Sequence, residues 1–327
     1  MSTSSEVSFD LARGWLKQCV CSHELCKELG ATYALANESP FPTYLVDVEP
    51  ENPRLCGTKD LPDRPQYLTL SHRWGGSHIF QLTSKNLPSL LTEIHISNLP
   101  KTFQDAILIT RKLGFQFIWI DSLCIVQDSK EHWETESAIM GDISSCTIAA
   151  LGATDGDSGC FRIRNPLGFQ HCKFQLSADR VAYLEPGKEG RLIDQTGYGQ
   201  EVEPLHERAW VVQERMLSPR TLHYGTFGLY WECAEETAND RPAMTMTQPS
   251  TKYAIHQACT LPLTGELDSN YQEFWTWWSR IISTYNPCGL TYGTDKLVAI
   301  AGIVKLVESE IGLHNNPATL IKACHVV

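Results

Sequence analysis

The chain has 327 residues, 42% of them hydrophobic and 20% charged, which is typical of a globular protein with an ample core. Its net charge of -11 argues against a general electrostatic grip on nucleic acid or on anionic membranes. No apolar run approaches the roughly 20 residues of a membrane span, and no signal peptide is visible at the N-terminus. The twelve cysteines are therefore expected to be free thiols in the cytoplasm.

The first predicted helix covers residues 11–29 and carries Cys19, His23 and Cys26 at positions i, i+4 and i+7. Thiolate and imidazole groups on one helix face are suited to Zn²⁺, provided that a fourth ligand comes from elsewhere in the chain. Cys56 is the nearest candidate in sequence. The alternative is that the cysteines pack as small hydrophobic residues, with His23 as a polar neighbour.

The middle of the chain alternates between strand and helix patterns. After an extended linker at 36–66 with one short strand, Tyr44–Val48, come three predicted strands, Tyr67–Leu70, Phe117–Ile120 and Cys146–Leu151. Between them the sequence predicts helices at 101–113 and 130–141. Such alternation predicts an α/β fold, with a parallel sheet flanked by helices.

Polar side chains follow two of these strands where each strand ends. The carboxyl ends of parallel strands meet at one edge of a sheet, and ligands bind there in open α/β sheets. The sequence therefore predicts a site at this edge that contains Ser71, His72, Arg73 and Trp74 from the first strand and Asp121, Cys124 and Gln127 from the second.

A polar helix at 206–217 is expected to complete this pocket. Arg208 and Arg215 are two turns apart on one predicted face, and the helix also supplies Trp210, Gln213 and Glu214. The alternative is a surface helix whose ion pairs contribute little individually. Two hairpins are predicted, at 173–185 and 221–233, and residues 236–270 are expected to form a loop. Amphipathic helices follow at Tyr271–Tyr285 and Asp295–Glu310.

Several segments, in this order, resemble the HET (heterokaryon incompatibility) domain of filamentous fungi. They are Tyr67–Gly75, Leu99–Phe103, Trp119–Ile125 with Gln127 and Asp128, and Arg208 with Trp210 and Gln213–Arg215. The run containing Trp15, Leu16, Cys19, His23 and Cys26 is similar to one often found ahead of that domain. The resemblance suggests an N-terminal helix and linker at 1–60, a HET domain at 61–235 and a helical extension at 236–327.

The resemblance implies a role in fungal non-self recognition and cell death, a form of innate immunity. The implied fold is related to the Toll/interleukin-1 receptor (TIR) domain, a flavodoxin-like sheet, here with an added β-hairpin and C-terminal helices. It also implies self-association or a protein activator, and a small-molecule ligand. Typical HET proteins extend further, so we expect either a short family member or a truncation.

Three kinds of chemistry fit the predicted site. Many TIR domains hydrolyse NAD⁺ with one helical glutamate, and Trp133–Glu136 is similar to the run that carries it, so the resemblance assigns catalysis to Glu136. Its carboxylate would stabilise an oxocarbenium-like transition state. The alternative for Glu136 is a buried acid that bonds a backbone amide or Arg208.

The second possibility is thiol chemistry, with Cys124 as nucleophile, His72 as base and Asp121 as orienting acid. The third is a non-catalytic recognition and assembly module, in which the polar cluster braces the fold. A small-molecule enzyme of secondary metabolism, such as an isomerase or cyclase, would use the same pocket.

Overall fold

The computed structural model describes residues 2–28, 41–74, 80–139, 146–164, 172–177, 180–184, 203–240, 252 and 269–311. Gly75, the last two residues of the helix predicted at 130–141, and most of the loop predicted at 236–270 lie outside these ranges.

An eight-stranded mixed sheet forms the centre of the fold. Its strands lie in the order β10-β9-β8-β5-β3-β4-β1-β2. Their bounds are β1 Tyr44–Asp47, β2 Arg54–Gly57, β3 Tyr67–Ser71, β4 Phe117–Trp119, β5 Thr147–Ala149, β8 Arg220–Tyr224, β9 Leu229–Cys233 and β10 Thr237–Asn239. The separate hairpin predicted at 173–185 is also present, as β6 Cys172–Ser177 and β7 Arg180–Leu184.

The four central strands are parallel, which confirms the predicted pairing of the first three. In register, Tyr67 lies beside Phe117 and Thr69 beside Thr147, whose hydroxyl groups are 2.8 Å apart. All residues of β3, β4 and β5 are buried. Parallel strands that are covered on both faces have continuous apolar sequences, which is why these three strands could be predicted from the sequence.

The strand order creates a topological switch point between β3 and β5. From β3 the chain moves outward to β4, then returns to the other side of β3 as β5 and continues to β8. The connections from β3 and β5 thus leave in opposite directions. In open α/β sheets, ligands bind at such a switch point, outside the carboxyl ends of the strands. Here those ends are Ser71 and Ala149, which are register partners.

Besides a helical turn at 24–28, eight helices accompany the strands in the described ranges. They are α1 Glu6–Ser22, α2 Leu87–Leu90, α3 Lys101–Lys112, α4 Asp121–Cys124, α5 Lys130–Ile139, α6 Ala209–Leu217, α7 Ser269–Tyr285 and α8 Val298–Ile311. Short 3₁₀ turns lie at Thr58–Asp60, Ile96–Asn98, Pro204–Glu207 and Gly293–Lys296. The predicted stripe of α3 is confirmed, since Phe103, Ala106 and Ile107 are buried. The chain leaves α3 at Gly114, whose φ of 84° suits a residue without a Cβ atom.

Three predicted elements differ from the structure. The helix predicted at 11–29 is interrupted at His23, whose ψ of 109° is extended, and a separate helical turn follows at 24–28. The segment predicted as linker contains β2 as well as β1, and both strands belong to the main sheet. The helix predicted at 206–217 begins only at Ala209, because Arg208 is extended and precedes the first turn.

A second apolar cluster joins α6 to the two C-terminal helices. Val212 and Met216 pack there with Phe274, Trp278 and Ile303. Gln213 fixes the contact, because its side-chain oxygen accepts a hydrogen bond of 2.7 Å from the backbone N–H of Gly302. A Cβ atom on Gly302 would lie 2.9 Å from that oxygen, so only glycine permits this approach.

None of the helices in the described ranges combines the length and the apolar character needed to cross a membrane.

Candidate functional site

Two strand ends are linked by His72, Trp74 and Asp121. The indole N–H of Trp74 donates to Asp121 Oδ2 at 2.7 Å, and Asp121 Oδ1 lies 3.7 Å from His72 Nδ1. The His72 ring is buried and meets Phe103 edge to face. Burial lowers the pKa of His72, although Asp121 acts in the opposite direction. The imidazole is therefore neutral at pH 7, and the Asp121 carboxylate lies beside it.

Glu214 on α6 brings an unusual carboxyl group to the same edge. Desolvation raises its pKa to about 7, against the opposing effects of Arg208 and of the Ser71 hydroxyl, and Asp121 raises it further. These three neighbours come from the end of β3, from the start of α4 and from the residue before α6. Glu214 retains partial solvent exposure. A desolvated carboxyl that titrates near neutral pH has the properties of a general acid or base.

Arg208 connects the Glu214 carboxyl to the end of β3. Its Nη1 donates to the backbone carbonyl oxygen of His72. Gly289 binds the backbone on both sides of Arg208. The Ala209 N–H donates to the Gly289 carbonyl at 3.1 Å, and the Gly289 N–H donates to the Glu207 carbonyl at 2.6 Å. Gly289 therefore helps to position the backbone that carries Arg208.

Arg73 and Gln127 lie around this group. The Arg73 guanidinium donates to Glu207 Oε2 at 3.0 Å and to the carbonyl of Pro204 at 3.3 Å. Gln127 donates to the backbone carbonyls of Asp121 and Ile125, at 3.2 and 3.0 Å. Gln127 thus holds the turn that presents Asp121, and Arg73 forms part of the rim.

Three residues of α6 that were predicted to bind a ligand point elsewhere. Gln213 bonds to α8, and Trp210 packs against the C-terminal apolar cluster. Arg215 is buried in a bidentate ion pair with Glu232, at 2.7 and 3.0 Å. The expectation that Arg208 and Arg215 share a face was wrong, because Arg208 lies outside the helix and its side chain leaves towards His72.

Glu136 lies among a different set of residues. It is completely buried, and its Oε1 accepts a hydrogen bond of 3.1 Å from the backbone N–H of Thr43. Its ionisable neighbours include Tyr67 and Cys124, whose pKa values it raises. This geometry matches the alternative interpretation of a buried acid that bonds a backbone amide. A carboxylate without solvent exposure cannot touch a ribose unless the fold opens, so the position of Glu136 does not favour the catalytic role predicted for it.

Cys124 is also unsuited to the role predicted for it. The thiol is completely buried, and burial raises its pKa well above the ordinary value, with further increases from Glu136 and Asp121. Because the thiolate is the reactive species, a thiol held in its protonated form is a poor nucleophile.

The ordered motifs at this edge correspond to a known family. Residues 67–214 match the family model described as Heterokaryon incompatibility protein (HET). The chain carries a HET domain. The matched range starts at the first residue of β3 and ends at Glu214, so the HET domain includes each residue of the cluster formed by Ser71, His72, Trp74, Asp121, Arg208 and Glu214. Searches of curated proteins and of solved structures found no match.

A second polar cluster involves residues on both sides of the matched HET range. The potential ligand atoms of Cys19, His23, Cys26 and Cys233 all lie within 4.8 Å of one another, and all four residues are buried. The sequence predicted the first three. Cys56, the nearest candidate in sequence for the fourth, does not join them, because it lies on β2 at the opposite end of the sheet from β9, the strand that ends at Cys233.

Cys233 could not have been selected from sequence spacing. It is separated from Cys26 by most of the chain and stands alone at the end of a hairpin strand. One signal could have favoured Cys233 over the other cysteines as the fourth ligand. Glu236 follows it closely in sequence, and a carboxylate near a metal site often supports a histidine ligand.

Proposed function

We propose that this HET-domain protein acts in fungal non-self recognition and cell death, and that the domain hydrolyses NAD⁺ at the nicotinamide bond, with Glu214 as the acting carboxylate. One observation carries the proposal. A carboxyl group with a pKa of about 7 lies next to Ser71, Arg208 and Asp121 at the carboxyl edge of the parallel strands. Enzymes use groups with such pKa values for proton transfer at neutral pH.

The strand order supports a TIR-like, flavodoxin-like origin for the domain. Numbered along the chain, the four parallel strands lie in the order 2-1-3-4, which is the flavodoxin-like arrangement without its fifth strand. Ligands of flavodoxin-like sheets bind where strands 1 and 3 diverge. The corresponding strands here are β3 and β5, and Ser71 lies at the end of the first of them.

The proposed reaction uses water as the only co-substrate. The bond between ribose C1′ and the nicotinamide nitrogen breaks, and its electron pair leaves with nicotinamide. The water oxygen bonds to C1′, and its proton passes to the Glu214 carboxylate. The negative charge of Glu214 also stabilises the oxocarbenium character of C1′. The guanidinium groups of Arg208 and Arg73 are donors that suit the NAD⁺ diphosphate, and Arg73 would exchange its partner Glu207 for a phosphate oxygen.

Glu214 is a better candidate than Glu136 because its surroundings differ. The Glu214 residue keeps some solvent exposure, and its desolvated carboxyl has a raised pKa beside Ser71 and Arg208. Glu136 has no exposure and is bonded to the Thr43 backbone. Both glutamates lie on helices that come after a parallel strand of the sheet, as the glutamate of TIR enzymes does: α5 follows β4, and α6 follows β5 with the β6–β7 hairpin in between. The comparison of the two therefore tests the assignment within one molecule.

The decisive experiment measures NAD⁺ loss with the purified full chain at low and high protein concentration, because TIR-like enzymes assemble when concentrated. We expect Glu214→Gln to reduce turnover by about 10²–10³-fold, as removal of one electrostatic group typically does. Glu136→Gln and Cys124→Ala serve as matched controls and should retain turnover within a few-fold. Wild-type protein that consumes no NAD⁺ at any concentration, or a fully active Glu214→Gln variant, would refute the proposal.

One observation favours a second candidate, a non-catalytic module for recognition and assembly. The bonds from Trp74 to Asp121 and from Arg208 to His72 connect three motifs that are distant in sequence, as a structural brace would. In that case, Glu214→Gln would change the unfolding midpoint and the affinity for a partner or for a second copy of the chain. The wild type itself would then hydrolyse no NAD⁺, so the variant could not lose that activity.

A further inference from the structure

We propose that Cys19, His23, Cys26 and Cys233 bind one zinc ion, in a closed structural site that ties the N-terminal segment to the last strands of the sheet. This inference is independent of the proposed NAD⁺ hydrolysis, because none of these residues belongs to the sheet-edge cluster. Three thiolates and one imidazole are a standard ligand set for structural zinc, with four protein ligands in a tetrahedron.

The break in the first helix makes this arrangement possible. In one continuous helix, Cys19 and Cys26 would be about 10 Å apart along the axis, too far to share an ion. The chain instead leaves the helix at Ser22, passes through His23 in an extended conformation and turns again at 24–28. Zn–S bonds of about 2.3 Å place tetrahedral sulfur atoms roughly 3.7 Å apart. The observed separations, all within 4.8 Å, therefore need only small side-chain adjustments.

The imidazole is oriented as a zinc ligand would be. His23 Nδ1 faces the cluster and lies 3.3 Å from Cys233 Sγ. The opposite ring nitrogen, Nε2, lies 3.3 Å from Glu236 Oε2. A zinc-binding histidine usually donates its second N–H to a carboxylate, which fixes the tautomer and the ring orientation. Glu236 occupies that position here.

The sulfur atoms also have suitable partners. The Glu236 backbone N–H lies 3.3 Å from Cys233 Sγ, and Arg220 Nε lies 3.2 Å from Cys19 Sγ. Zn²⁺ with three thiolates and a neutral imidazole carries a net charge of about −1. The buried guanidinium of Arg220, which also donates to the Cys26 carbonyl at 3.3 Å, supplies the compensating positive charge. Hydrogen bonds to metal-bound sulfur and charge balance are the outer-shell features that support such sites.

The position of the cluster indicates a structural role. All four coordination positions are filled by the protein, so none remains for water or substrate, as a catalytic zinc would require. The ligands connect residues 19–26 to residue 233, and neighbouring hydrogen bonds connect the same two parts of the chain. Gln18 donates to Glu236 at 3.1 Å, and the Leu25 N–H donates to Glu235 at 2.6 Å.

The first test measures metal in the full chain, expressed with added zinc and purified without chelator. We expect about one zinc ion per chain in the wild type and in two cysteine controls. Cys21→Ala changes an exposed thiol on the same helix, and Cys56→Ala changes the ligand that the sequence favoured. Cys26→Ala and Cys233→Ala should lose the ion. Zinc retained by Cys233→Ala but lost from Cys56→Ala would overturn the proposed ligand set.

Cobalt substitution keeps the test independent of folding defects in the variants. Wild-type protein that takes up Co²⁺ should show sulfur-to-cobalt charge transfer and the intense visible bands of a tetrahedral site. A His23→Cys variant retains four ligands and should bind the metal, with the spectrum shifted towards an all-thiolate site. Folded wild-type protein that holds neither zinc nor cobalt would disprove the site. A disulfide between any two of Cys19, Cys26 and Cys233 would also disprove it.

Discussion

The backbone carbonyl oxygen of His72 accepts a hydrogen bond from the guanidinium of Arg208, a residue 136 positions further along the chain. This bond joins the first strand of the HET domain to the start of its last matched helix. It also places a positive charge beside Glu214, whose pKa depends on Arg208. The relationship between His72 and Arg208 therefore links the fold to the proposed chemistry, and its consequences can be measured.

The pH dependence of NAD⁺ hydrolysis should report the titration of Glu214. The proposed reaction requires the ionised carboxylate, and the pKa of this group is raised to about 7. We expect kcat/KM to be constant above this pH and to fall about tenfold per pH unit below it. A profile of kcat/KM from pH 5 to 9 tests this. An activity that stays constant down to pH 5 would contradict the role of Glu214.

Replacement of Arg208 should move that profile. Arg208 lowers the pKa of Glu214, so loss of its charge in Arg208→Gln should raise that pKa and shift the acid limb of kcat/KM to higher pH. Arg208→Lys retains the charge and serves as the control, with a limb close to that of the wild type. A purely structural role for Arg208 would lower activity or stability in both variants without moving the limb.

The protein should become less stable as the pH rises through the titration range of Glu214. The pKa of this group rises from an ordinary value of 4.5 to about 7 on folding, so the folded state binds more protons than the unfolded state between these values. The contribution of Glu214 to stability therefore falls as the pH rises from 4.5 to about 7. Glu214→Gln lacks this effect.

We expect Glu214→Gln to match the wild type in urea midpoint near pH 4.5 and to exceed it at pH 8. The comparison at pH 4.5 is the internal control, because the Glu214 carboxyl is protonated in the folded state at that pH. Equal midpoints of wild type and Glu214→Gln at pH 8 would show that the carboxyl is not destabilised when charged.

The buried pair of Arg215 and Glu232 should matter for stability and not for ligand binding. Burial alone would raise the pKa of Glu232, but Arg215, His223 and Lys252 together hold it well below the ordinary value. Glu232→Gln removes the carboxylate charge from this buried pair, and removal of one member of such a pair typically costs about 3–5 kcal/mol. The double replacement Arg215→Met with Glu232→Leu removes both charges and should be less destabilising. Urea unfolding of the three proteins provides the measurement, and a harmless Glu232→Gln would contradict the expectation.

The sequence alone determined the order and type of the central elements. The strands at Tyr67, Phe117 and Cys146 are apolar because both faces are covered, and the stripe on the helix at 101–113 has the period of an amphipathic helix. These signals are local, so they can be read from neighbouring residues. The same reading placed polar residues at strand ends, and it identified the ordered motifs of the HET domain.

Only the tertiary structure decided which polar residues meet. Arg208 and Arg215 look alike in sequence, but one lies before the helix and bonds to His72, while the other pairs with Glu232. Glu136 and Glu214 both follow strands, yet burial seals the first and shifts the pKa of the second. Cys233 joins Cys19 because β9 returns beside α1, whereas Cys56 lies on a strand at the other end of the sheet. Such contacts depend on strand order and on a single helix break at His23, and local periodicity carries no information about either.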